Sequence, residues 1–147
     1  VCSAEAVAFA TIGPQANCTY TAATPNPIQT ALNAGHTDIR LVGGQTLTGS
    51  LVVAGNADVS IRGGFADCAG AANGSLPTVP VRTQLEPGAA GSAAVILVES
   101  AVRRRNILLE QLWIRPNPAL GSTGSGIAVG GALDAILLRS RVSGFRS

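Results

Sequence analysis

Two carboxylates facing each other across a groove can cleave a glycosidic bond, and a tighter cluster can hold calcium. The eight acids of this chain, Glu5, Asp38, Asp58, Asp67, Glu86, Glu99, Glu110 and Asp134, stand singly, with no D-x-D or D-x-x-x-D spacing. Asp38, Asp58 and Asp134 each lie beside the start of a strand-like run, where an aspartate commonly accepts from turn amides. Two carboxylates would converge only if Asp38 and Asp58 stacked on neighbouring turns of the chain. The single His36 follows a glycine and reads as a solvated loop residue. One histidine with three dispersed cysteines offers no zinc spacing. The doublets in "LVGG", "IRGG" and "AVGG" never form G-x-G-x-x-G ahead of a helix, so they read as corners and not as a nucleotide loop. No catalytic residue, metal ligand or cofactor is assigned.

Binding chemistry is better represented. In "LWIRP", strand alternation turns Trp113 outward if Leu112 and Ile114 face the core. An outward indole is a stacking platform for a sugar, with Arg115 and Glu110 as hydrogen-bonding neighbours; alternatively the following "RPNPALG" loop folds over it. Arg103, Arg104 and Arg105 occupy a corner between two apolar runs. Solvated there, they cost little desolvation. As a patch, joined by Arg139, Arg141 and Arg146, they could dock acidic polysaccharide or lipopolysaccharide through guanidinium forks. All ten basic residues are arginine, which fits a GC-rich coding sequence better than a function. A net charge of +2, without a basic stripe interleaved with aromatics, argues against nucleic acid.

The elements that must position these residues are short. "PNPIQTALNAG" predicts a helix over residues 27–34, with Asn26 as N-cap, Pro27 in the first turn and Gly35 after the last. Ile28, Ala31 and Leu32 share its apolar face, and no other helix is predicted. After it come runs of four to six residues with period-2 alternation: "DIRLVGG", "QTLTG", "SLVVAG", "ADVSIRGG", "VRTQLEPG", "AAVILVES", "RNILLEQLWIRP", "GIAVGG" and "LDAILLRSRVSG". "CAGAANGSLPTVP" and "NPALGSTGS" read as loops. Only 12% of residues are charged, about half the usual share, which suits a repetitive β architecture. No segment reaches the ~20 apolar residues of a membrane helix, leaving no candidate for helical membrane insertion.

The runs repeat. Overlaying "AAVILVESAVRRRNILLEQLWIRP" on "SGIAVGGALDAILLRSRVSG" matches Val95 and Leu97 to Ile127 and Val129. It also matches Leu109, Leu112 and Ile114 to Leu137, Ser140 and Val142. A unit of roughly 30 residues with three apolar steps and two tight corners describes one turn of a triangular β-solenoid, whose inward side chains stack into columns.

"CTYTAATPNPIQTALNAG", "DIRLVGG", "VSIRGGFADC" and "LLRSRVSG" resemble the opening of secreted bacterial right-handed parallel β-helix proteins of the pectate-lyase-like superfamily. The resemblance covers roughly residues 16–145 and implies an all-β fold with a short N-terminal capping α-helix. The chain is then one domain, 1–147, with a cap region over 1–36 and solenoid coils over 37–147. The family spans lyases, hydrolases, adhesins and surface proteins, so its fold does not fix its chemistry. A Cys18–Cys68 disulfide is expected because both cysteines flank family-like segments; Cys2–Cys18 remains open, as sequence alone allows three pairings.

A first residue other than Met fits a product whose export signal has been removed, and export would permit the disulfide. The final "RVSGFRS" follows a strand without a cap, as expected for part of a longer solenoid or for coils that stack end to end with another copy. The leading expectation is a non-catalytic, exported module with a structural or adhesive role at a bacterial surface or in extracellular matrix, partnered by its own copies or by extracellular polysaccharide. Two alternatives are the N-terminal part of a carbohydrate-active lyase- or hydrolase-like enzyme, and a glycan-binding module using Trp113.

Overall fold

Alternation of apolar and polar residues in runs too short for a helix leaves strands as the way to bury them, and the computed structural model is built almost wholly of strands. It describes residues 9–21, 23–100, 104–121, 124–131 and 133–145. Cys2, Glu5, Arg103 and Arg146 lie outside the described residues. The chain opens with strands β1 (Phe9–Gly13) and β2 (Tyr20–Thr21) and helix α1 (Pro27–Asn33). Strands β3 (Asp38–Val42), β4 (Thr46–Thr48), β5 (Leu51–Val53) and β6 (Val59–Phe65) follow, then helix α2 (Cys68–Asn73). The remainder is β7 (Thr83–Glu86), β8 (Val95–Val98), β9 (Asn106–Glu110), β10 (Leu112–Ile114), β11 (Ile127–Gly130), β12 (Asp134–Leu138) and β13 (Arg141–Val142).

These strands form three open sheets, paired in parallel throughout. The first runs β12-β9-β6-β3-β1-β2, the second β13-β10-β7-β4 and the third β11-β8-β5. Val95 and Leu97 pair with Ile127 and Val129, Leu109 with Leu137 and Ile114 with Val142, the register the repeat predicts. Strand β1, in the expected cap region, already belongs to the first sheet, because "FATIG" alternates in register with "DIRLV".

Parallel register puts like residues on like, and the core is a set of columns. Ala10, Ile39, Ile61 and Leu109 stack in the first sheet, each 0% exposed. Leu47, Leu85 and Ile114 stack in the second, Leu51 with Val95 and Val53 with Leu97 in the third, all buried. Each buried Val, Leu or Ile in these columns contributes about 1.5–3 kcal/mol relative to exposure.

Helix α1 lies on this core through Ile28 and Ala31, with Leu32 partly buried beside them. It is one residue shorter than expected, and Asn26 is not its side-chain cap. Asn26 is left-handed (φ 42) and its side chain accepts no cap bond from the first turn; its Nδ2 donates to the Ser50 carbonyl at 3.1 Å. That contact needs Gly49, where a Cβ would stand 2.6 Å from the Asn26 amide. Gln29 caps a strand instead of its own helix: it accepts from Val52 N at 2.7 Å and donates to Val52 O at 3.3 Å, pairing the outer edge of β5.

Helix α2 corrects the expectation of a single helix: it occupies the first part of the expected loop "CAGAANGSLPTVP". Asp67 caps it by accepting from Gly70 N at 2.6 Å, and Gly74 ends it at φ 71. Its last carbonyls, of Ala71 and Ala72, accept from the Arg40 guanidinium at 2.7 and 3.1 Å. Cys68 joins Cys18 in a disulfide, tying the β1–β2 turn to α2. Such bonds persist in oxidising environments. Among the described residues no helix is long and apolar enough to cross a membrane.

Candidate functional site

Strand β10 presents Leu112 and Ile114 inward at 0% exposure and Trp113 outward, half-buried. The indole is held from three sides. Its Nε1 donates to Ser143 Oγ at 3.1 Å, and the guanidinium carbons of Arg115 and Arg141 lie 5.3 and 5.4 Å from the ring centroid. Arg115 is fixed in turn by buried Glu86, with contacts of 2.8 and 2.9 Å. Arg115 thus lies against the Trp113 ring in cation–π geometry. Glu110 meets Arg139 at 2.9 Å, at the corner that follows β9.

Beside Trp113 lies a groove of about 480 Å³ at the corner between the first and second sheets, also lined by Pro80, Val81, Arg82, Gln84, Gln111 and Arg139. Two lining residues, Gln111 (φ 55) and Arg139 (φ 49), are left-handed without being glycine, a conformation with a real steric cost. They occupy equivalent corners, after β9 and after β12. Arg82 Nε donates to the Arg139 carbonyl at 2.8 Å. Sequence reasoning passed over Arg82, Gln84 and Gln111. The signal was the overlay itself, which aligns Gln111 with Arg139 once Leu109 is set on Leu137.

Arg104 and Arg105 do not line this groove; they sit at the corner between the third and first sheets, before β9, whereas Arg139 follows β12 at the other end of the first sheet. Arg104 is exposed and paired with Asp134 at 2.8 Å, which raises its pKa through the hydrogen bond and then the charge. Arg105, expected in solvent, is 0% exposed. Its guanidinium donates to the carbonyls of Val98 at 2.7 Å, Ala57 at 2.9 Å and Val53 at 3.2 Å, fastening the ends of β8 and β5. Strand-end carbonyls have no ladder donor there, and a planar fork of donors satisfies three of them at once.

The carboxylates are similarly engaged. Asp38 accepts from Arg40 at 2.8 Å and Arg62 at 3.1 Å, not from turn amides. Partial burial would raise its pKa, but the hydrogen bonds and charges of these arginines outweigh it and hold the carboxyl below its ordinary value. Asp58 does accept a backbone amide, Asn106 N at 2.9 Å. Asp38 and Asp58 line one cavity of about 320 Å³. His36 is half-buried, its ring edge-on to Tyr20 at 6.1 Å, in place of the expected solvated loop position. It borders a cavity of about 360 Å³ beneath α1. Among the described residues no three His, Cys, Asp or Glu side chains converge as metal ligands.

Comparison with protein families, curated proteins and solved structures finds no match to the chain.

Proposed function

We propose that the chain is a run of coils of a right-handed parallel β-helix, exported to an oxidising extracellular or cell-surface setting, with a structural or adhesive role and no catalysis of its own. The observation carrying this reading is the three-sheet ladder, in which strands pair side by side in parallel with equivalents in neighbouring repeats, 28–32 residues apart in the last coils and from 22 to 48 elsewhere. Parallel crossovers within one sheet are right-handed in about 98% of cases, which supports the hand. The Cys18–Cys68 bond supports export. Arginine pairing of Asp38, Glu86, Glu110 and Asp134 supports a structural use of the acids. End-to-end contact between copies belongs to the same reading.

Fractionation of producing cells with thiol mapping tests it. Extracellular or surface-exposed chain, with Cys18 and Cys68 oxidised, is expected; reduced chain in the cytosol overturns export. Incubation with uronate polysaccharides should release no unsaturated or reducing ends. Steady product release abolished by substituting Asp38 or Asp58 would replace the structural reading with an enzymatic one.

A further inference from the structure

We propose that Asn73 is an acceptor for an N-linked glycan, a covalent modification site that seats a sugar chain beside the exposed apolar loop following α2. The inference goes beyond the structural or adhesive reading and concerns this surface alone.

Two asparagines head an Asn-x-Ser/Thr triplet whose middle residue is not proline, the motif of N-linked glycosylation: Asn17-Cys18-Thr19 and Asn73-Gly74-Ser75. Their surroundings differ. Asn73 is the last residue of α2, and Gly74, left-handed at φ 71, turns the chain out of the helix directly after it. Asn73, Gly74 and Ser75 are all exposed. Among the described residues neither the Asn73 carboxamide nor the Ser75 hydroxyl has a hydrogen-bond partner, and Ser75 is tied through its backbone amide, which donates to the Gly70 carbonyl at 2.9 Å. The nitrogen to be modified and the hydroxyl that completes the motif both stand open to solvent.

The triplet at Asn17 is engaged. Thr19 Oγ1 accepts from Thr11 N at 3.1 Å and lies 3.3 Å from Thr11 Oγ1, which itself accepts from Thr19 N at 3.0 Å. Cys18, the middle residue, is bonded to Cys68. A transferase that reads Thr19 must break the Thr11 contacts and bend a segment the disulfide holds. In the folded, oxidised chain the acceptor is therefore Asn73.

The transfer joins Asn73 Nδ2 to C1 of a sugar as the bond from C1 to a phosphate leaving group breaks. The phosphate departs with the electron pair, and one carboxamide proton passes to the transferase. The co-substrate is thus a glycosyl phosphate. What the glycan does follows from its neighbours. Residues 68–81 carry no charged side chain, and Leu76, Val79 and Val81 are 37%, 79% and 61% exposed. Exposed apolar surface invites association, and a bulky, hydrated sugar chain three residues before Leu76 opposes it.

The two triplets fall in separate tryptic peptides, 1–40 and 63–82, because cleavage follows Arg40, Arg62 and Arg82. Mass spectrometry of these peptides, reduced and alkylated, from the intact chain made by its own cells tests the site. Peptide 63–82 should carry a mass increment of whole sugar units, lost in Asn73→Gln and in Ser75→Ala and kept in Ser75→Thr, while peptide 1–40 is unmodified. Both losing variants are at exposed positions and should still melt cooperatively. Asn73→Gln should also bind an apolar dye roughly two-fold more strongly or better, as the loop loses its cover. An unmodified Asn73, a modification that survives Ser75→Ala, or occupancy of Asn17 equal to that of Asn73 would overturn the site, and unchanged dye binding would overturn its cover of the loop.

Discussion

Arg104 and Arg105 are chain neighbours in opposite surroundings. Arg104 meets Asp134 in open solvent, where an ion pair gains little against screening and side-chain entropy. Arg105 serves the carbonyls of Val53, Ala57 and Val98 from a fully buried position. Removing it would strand these acceptors, at roughly 1–3 kcal/mol each before non-additivity. Arg105→Ala should therefore lower the urea unfolding free energy by about 3 kcal/mol or more, while Arg104→Ala leaves the midpoint within error; equal midpoints would refute the assignment. Asp38 predicts a pH effect. Its folded pKa lies below the ordinary 3.8, so below that value the unfolded chain takes up the proton first. Its contribution is thus present above pH 3.8 and lost as pH falls through the folded value. Asp38→Asn should flatten the acid limb of the stability curve in that window, and an unchanged limb would show that Arg40 and Arg62 do not hold the carboxylate.

At the scale of elements, period-2 alternation made the strands readable, and the overlay of two repeats made even their register readable. Local pattern carries that information because parallel pairing sets each residue on its equivalent one turn away. Helix α2 was harder: six residues containing Gly70 have no helical apolar stripe, and only Asp67 and Gly74 at its ends marked it. Arg105 was unreadable for a different reason, since the carbonyls it serves lie up to 52 residues away in sequence. The outward turn of Trp113 followed from alternation, whereas its groove depends on residues 80–82 arriving from an earlier repeat. The disulfide acts at this scale too. It closes a separation of 50 residues, which chain entropy values at about 4 kcal/mol. A Cys18→Ala/Cys68→Ala double variant should melt on the order of 10 °C lower than the oxidised chain. Equal melting temperatures would mean that α2 and the β1–β2 turn hold together unaided.

The whole molecule has two unlike ends. At one, β2 covers β1, α1 lies over the core, and Gln29 occupies both backbone groups of Val52. At the other, β11, β12 and β13 each end a sheet, with no strand beyond them among the described residues. Val129, Leu137 and Val142 there are 55%, 43% and 42% exposed, although their register partners Leu97, Leu109 and Ile114 are each 0% exposed. A further layer of matching strands would bury them, and unpaired edges recruit such layers. At the other end of a second copy, α1 and the Gln29 contacts to Val52 stand in the way of such a layer, which favours open end on open end. Contact of like with like is isologous and closes at two chains, so for these 147 residues taken alone a dimer is the expected outcome. Sedimentation velocity over a concentration series should show a monomer–dimer equilibrium with no larger species. Leu137→Lys with Val142→Glu should leave a folded monomer, because charge at these positions opposes a second layer while the inner coils keep their own columns. Filaments or higher oligomers would show that the Gln29 seal opens, and a monomer at every concentration would show that the exposed edge recruits no second copy.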